Sequence, residues 1–139
     1  MTSNTKPIGV AYEDQNIIGS EQILSDNQLG YTANAQGSVT QLTDKSTAVT
    51  LNRSAGRITT ANVALAGATN VSFTLNNSLI SANDVLIVTL SGGIATAATY
   101  NCWVNSLSAG SASITLRNIT ASTSLTEAVV INFALIHCV

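Results

Sequence analysis

VSFTLN, residues 71–76, decides the fold class. Val71, Phe73 and Leu75 fall on one side of an extended chain and Ser72, Thr74 and Asn76 on the other, because successive strand side chains point to opposite faces. Such a strand covers an apolar core and keeps a wet exterior. From Gly37 onward the theme repeats as short β-branched runs broken by Gly, Asn and Asp, the pattern of an all-β sandwich or barrel. Strands are predicted over residues 38–43, 48–52, 56–60, 71–76, 85–90, 100–107, 113–117 and 128–138. Eight strands suffice for two packed sheets. The expected fold is therefore an antiparallel β-sandwich, jelly-roll or Greek-key-like, over residues 37–139, preceded by an extended N-terminal arm over residues 1–36.

Two of these runs depart from the alternation. In EAVVINFALIHCV, residues 127–139, only Asn132 and His137 interrupt the apolar residues from Ala128 onward, and residues 85–90 are nearly as apolar. Both faces of each strand are then expected to be covered, by a second sheet, by the arm or by another subunit. Val130 and Ile136 are accordingly candidate interface residues. Between the strands, Ala109-Gly110-Ser111 reads as a hairpin connection and Ser91-Gly92-Gly93 as the start of a longer loop. Residues 60–67 read as an irregular crossing or one helical turn.

The first 36 residues hold most of the acidic side chains and the only proline, with the apolar pairs Ile17-Ile18 and Ile23-Leu24 set in polar sequence. No helical or strand period runs through them. They read as an arm that becomes ordered by lying on a partner, or else as a frayed tail; in the first case Ile17, Ile18, Ile23 and Leu24 are further interface candidates.

A chain of 139 residues fits one domain and buries roughly two-thirds of the surface its unfolded form exposes. Charged residues make up 9% of it against roughly 25% in an ordinary soluble domain, so hydroxyls and amides must solvate the surface. Five scattered Lys and Arg cannot form the basic stripe that nucleic acid requires. The longest apolar run is about a dozen residues, short of the roughly 20 a membrane helix needs. The first sixteen residues show no secretory pattern, from which a chain that stays in the cytoplasm is expected unless it leaves by lysis or inside a particle.

Chemistry is scarce. Any nucleophile–histidine arrangement must use His137, the only histidine, whose neighbour Cys138 would point to the opposite face of a strand. Asp44 and Asp84 have the sequence setting of turn residues that bind nearby backbone amides, and Glu127 that of an edge charge or an ion pair with arginine. Glu13-Asp14-Gln15-Asn16 groups oxygen ligands without the spacing of a calcium loop. Asn70, Asn76 and Asn118 head glycosylation sequons that a chain rich in Asn and Ser produces by chance. Cys102 and Cys138 read as free, buried thiols, with a bridge as the alternative. No catalytic residue, cofactor or metal is expected. Trp103, between Asn101 and Asn105 on a wet strand face, can stack on a sugar ring, anchor a protein interface or pack beneath a loop.

KPIGVAYEDQNIIGS, then GSVTQLTDKSTAVTLNRSAGRITT, VSFTLNNS and RNITASTSLTEAVVINFALI, together resemble a small β-domain of virion structural proteins from tailed bacteriophages, including those of cyanobacterial hosts. The resemblance carries no catalytic motif. It implies a virion protein, either a capsid decoration (cement) protein, a homotrimer bound to the major capsid protein, or a fibre or spike domain that recognises host glycans. A short chain starting at Met1 favours the first of these.

Overall fold

The computed structural model describes residues 26–138. The chain divides into two units, Met1–Gly30 and Tyr31–Val139. Of the first, residues 26–30 are exposed and carry no helix or strand. In the second, a 3-10 turn at Ala33–Ala35 leads into β1 (Gln36–Thr40), β2 (Val49–Thr50), β3 (Ala55–Thr59), β4 (Ala64–Leu65), β5 (Asn70–Asn76), β6 (Val85–Gly92), β7 (Tyr100–Ser108), β8 (Ser111–Asn118), β9 (Leu125–Thr126) and β10 (Val130–Ile136). Sheet A has the order β1-β3-β10-β6 and sheet B the order β2-β5-β8-β7, while β4 and β9 form a small antiparallel ladder of their own. The fold is an all-β sandwich.

Its core is built from the inward positions of both sheets. Phe73 and Leu75 of β5, Ile114 and Leu116 of β8, Ile58 of β3 and Ile131, Phe133 and Leu135 of β10 are all buried in one cluster. Each such side chain contributes roughly 1.5–3 kcal/mol by leaving water. The alternation read in residues 71–76 is the one observed, with Phe73 and Leu75 inward and Ser72, Thr74 and Asn76 exposed.

Several expectations need correction. Two pairings are parallel, β1 with β3 and β2 with β5. Between β1 and β3 the chain crosses to sheet B and returns, and two reversals restore its direction. Residues 60–67 contain β4, whose two residues are too few to show any periodicity. Ser91 and Gly92 continue β6 instead of opening a loop, and the loop begins at Gly93. That residue has φ +70°, and a Cβ there would stand 2.0 Å from the carbonyl oxygen of Ala128, so only glycine fits. The hairpin expected at residues 109–111 does join β7 to β8, with Gly110 at φ +79°.

The double-faced strands are covered on one face by sheet B. Ile131, Phe133 and Leu135 of β10 are buried, but Val130, Asn132 and Ala134 are half-buried and Ile136 is 49% exposed. In β6, Leu86 points into the core while Val85 and Ile87 stand 48% and 47% exposed. Sheet B covers the inner face of sheet A, and on the outer face Val85, Ile87 and Ile136 stand about half exposed among the described residues.

Candidate interaction surfaces

Strand register sorts the outer face of sheet A into rows. Ala55, Ala134 and Ile87 form one row, Arg57, Asn132 and Thr89 the next, and Ile136 lies opposite Val85 at the end of the sheet. Val85, Ile87, Ala134 and Ile136 thus make an apolar corner on the two strands β6 and β10. Ala55 and Gly56 leave the adjoining surface low, and a trough of about 330 Å³ runs there between Gln36, Arg57 and Asn132. The predicted interface residues Val130 and Ile136 share this face but sit at opposite ends of β10. Ile17, Ile18, Ile23 and Leu24 lie outside the described residues, as does the acidic run at residues 13–16.

The corner adjoins an edge. β6 is the outermost strand of sheet A, eight residues long, with no charge and no proline. The edges of sheet B are guarded differently: β2 has two residues, and β7 carries a register shift between Val104 and Ser106. Short strands and bulges are the usual devices against strand addition. β6 carries its own register shift near Ser91, opposite Val130 and Ile131, but Val85–Leu90 is paired regularly and forms a longer unbroken edge.

The outer face of sheet B is polar throughout. Asn101, Arg117 and Asn70 form one row and Trp103, Thr115 and Ser72 the next, followed by Ser106, Ser113 and Thr74. Ser72 and Thr115 share a hydrogen bond of 2.7 Å, the Arg117 guanidinium donates to Asn70 Oδ1 at 3.2 Å, and the Trp103 indole N–H donates to Asn105 Oδ1 at 3.3 Å. Trp103 is half-buried on the wet face, as its asparagine neighbours led one to expect.

Two polar clusters escaped the reading of the sequence. At one end of sheet A, the Asp84 carboxylate accepts from the Ser81 N–H at 2.8 Å and hydroxyl at 2.7 Å, the turn role expected of it. It also accepts from the Cys138 N–H at 3.1 Å and pairs with His137 Nδ1 at 2.9 Å. The Ser81 N–H above all, with the Ser81 hydroxyl, the Cys138 N–H and His137, holds this carboxyl well below the usual range, against the opposing effect of burial. The pair resembles half of a catalytic triad, but the nearby hydroxyl of Ser81 donates to Asp84 itself and is no nucleophile for His137. Its effect is to clasp the end of the chain onto the turn before β6. Asp44 likewise caps its own turn, accepting from the Ser46 N–H at 2.7 Å and its hydroxyl at 2.6 Å.

The second cluster is interior. Lys45, 3% exposed, donates from Nζ to the backbone oxygens of Ala61 at 2.6 Å and Glu127 at 2.5 Å. Gln41 holds the same loop, donating to the carbonyls of Lys45 and Thr47 and accepting from the Ala61 N–H. Burial pulls the Lys45 ammonium below its ordinary value, and the Glu127 charge opposes this. The Glu127 carboxylate does not pair with an arginine: Oε1 accepts from the Ala95 N–H at 3.1 Å, and Oε2 is buried without a partner among the described residues. Tyr100 Oη is buried near it, and burial above all, then the Glu127 charge and the approach of that carboxylate to the hydroxyl, push the hydroxyl up to about 12.

The cysteines are both free, Cys102 half-buried and Cys138 exposed, which corrects the expectation for Cys138. Asn118 is wholly buried, its side chain spanning the carbonyls of Leu65 and Thr123, so its sequon is inaccessible, while Asn70 and Asn76 are exposed. Among the described residues, no three His, Cys, Asp or Glu side chains group as a metal site, and no helix is long and apolar enough to cross a membrane. No known protein family, curated protein or solved structure matches this chain.

Proposed function

We propose that this chain is a structural module that assembles with copies of itself through the β6 edge and the apolar corner beside it, and that the assembly decorates a phage capsid by binding the major capsid protein. The observation that carries the first part is the exposure of Val85, Ile87 and Ile136 together on an uncharged outer strand. An edge of that kind is a template for strand addition, and a partner copy satisfies its backbone groups while covering the aliphatic side chains. The capsid role rests on the sequence resemblance, with a trimer as the expected order and the apolar pairs of the N-terminal segment as the expected contact with the shell. A low-charge exterior of hydroxyls and amides suits a protein held in an ordered lattice.

The test is sedimentation velocity on the full chain and on Ile87→Lys. Self-association in the parent and a monomer of unchanged melting temperature in the variant support the reading. A parent that stays monomeric up to roughly 100 μM, well above the micromolar range of specific association, overturns it. Quantitative mass spectrometry and antibody labelling of purified virions then address the particle: many copies over the head support decoration, and a few at the tail replace it with host recognition.

A further inference from the structure

The outer face of sheet B lies apart from the β6 edge and the apolar corner. Thr115 points outward in the middle of that face yet is only 2% exposed. Its cross-strand neighbours are Ser72, which hydrogen-bonds to it, and Trp103. Trp103 stands directly across from it on β7 and is itself half-buried, so part of the indole reaches solvent. The bond to Asn105 Oδ1 fixes the indole N–H and with it the orientation of the ring. A flat, oriented π-face amid amides and hydroxyls is suited to the C–H face of a pyranose, whose ring hydroxyls then meet the polar side chains around it.

Charge narrows the class of sugar. Arg117 stands one row away on the same face, two residues along β8 from Thr115, which puts its backbone on a diagonal of roughly 7–8 Å from that of Trp103, with the guanidinium turned toward Asn70 on the β5 side. Its only hydrogen bond among the described residues is to Asn70. The face carries no carboxylate, and the one ion pair among the described residues, Asp84 with His137, belongs to the end of sheet A. A guanidinium with most of its five donors unused is matched by a carboxylate, which it can hold by two parallel bonds. We infer that this face binds a carboxylate-bearing saccharide, a uronic or sialic acid, with the sugar ring stacked on Trp103 and the carboxylate on Arg117. The site lies on the sheet opposite the proposed assembly surface, so it is open in the oligomer and stands or falls independently of it.

Trp103 is the only tryptophan of the chain, and its fluorescence reports on the site directly. Titration of the full chain with trigalacturonate and with sialyllactose should give a saturable emission change with at least one of them, and with maltotriose, the neutral control, binding weaker by roughly tenfold or more. By calorimetry, Arg117→Gln should lose a similar factor for the acidic sugar and leave the neutral one unaffected, while Trp103→Ala should lose both, each variant keeping the parent's circular dichroism spectrum. The inference is overturned if neither acidic sugar produces a saturable change, or if Arg117→Gln binds it as tightly as the parent. Equal affinity for maltotriose also overturns it.

Discussion

Introducing aspartate at three positions of β10, one at a time, separates the core from the surface of the same strand. Ile131 has no exposed area and lies opposite Ile58 on one side and Leu90 on the other. An aspartate buried there at pH 7 must be neutral, and raising its pKa from about 3.9 to 7 costs about 4 kcal/mol at 1.36 kcal/mol per unit. Losing the apolar burial of isoleucine adds roughly 2 kcal/mol. The sum, about 6 kcal/mol, consumes most of a domain stability that runs roughly 5–15 kcal/mol, so Ile131→Asp should be unfolded or nearly so. Val130, the next residue, faces outward and half-buried beside Thr59; water reaches the new carboxylate, and the loss should stay within roughly 1–2 kcal/mol. Ile136→Asp, at a half-exposed position, should change the melt by about 0.5 kcal/mol or less and yet abolish self-association. Urea melts followed by circular dichroism give the first two values, and sedimentation velocity the third. Because a register slip of one residue exchanges the faces of a strand, similar melts for Ile131→Asp and Val130→Asp would refute the assigned register and with it the corner on sheet A.

Tyr100 gives a prediction in pH. Its folded pKa of about 12 lies above the ordinary value of 10, so the folded state holds the proton more tightly. The stability this contributes is complete below pH 10 and is lost as pH rises through 12, by up to roughly 2.7 kcal/mol. Tyr100→Phe removes the titrating hydroxyl, so its urea midpoint should fall less than the parent's between pH 10 and 12; parallel curves would contradict the burial of that hydroxyl. Gly93→Ala should destabilise by about 2 kcal/mol or more, since strain at positive φ is joined by a clash with a backbone oxygen, whereas Gly110→Ala, with open space around it, should lose only about 1 kcal/mol. Thermal melts that rank the two equally would sink that distinction.

The sandwich was legible wherever a strand was long enough to alternate. Residues 71–76 gave both the element and its buried face, and Asn101-Trp103-Asn105 gave the wet side of β7 up to the bulge, beyond which a period of two no longer assigns a face. The ladder of β4 and β9 was not legible, because two residues have no period. Nor was the burial of Lys45: in the polar run Thr43-Asp44-Lys45-Ser46-Thr47 it has the surroundings of a surface residue, and its acceptors are the backbone carbonyls of Ala61 and Glu127, which no pattern of side chains records. Asp84 was read correctly as a turn residue, but its hold on the far end of the chain depends on β6 and β10 being neighbours, a fact of topology. The hydrophobic character of β10 was plain in the sequence. What it could not say is that sheet B would bury the odd-numbered side fully and the even-numbered side only in part.

The edges limit how copies can join. With 9% of residues charged and a net charge of −2, electrostatic repulsion does little to keep molecules apart, and an uncovered aliphatic edge strand would recruit further strands without limit. Sheet B offers only a two-residue strand and one bulged in its middle, whereas β6 is regular over Val85–Leu90 and shifts register only near Ser91, so the longest regular edge belongs to sheet A. There β6 can pair with the β6 of a second copy about a two-fold axis, which covers both corners and stops growth at a dimer. It can instead meet a different surface of the next copy, such as the shorter β1 edge with the trough beside it, and then growth ends only if the rotation closes a ring. A trimer is the smallest such ring. Dimer and trimer therefore correspond to different contacts of one strand, and Arg57, beside the trough and remote from the β6 edge, is in contact only in the second.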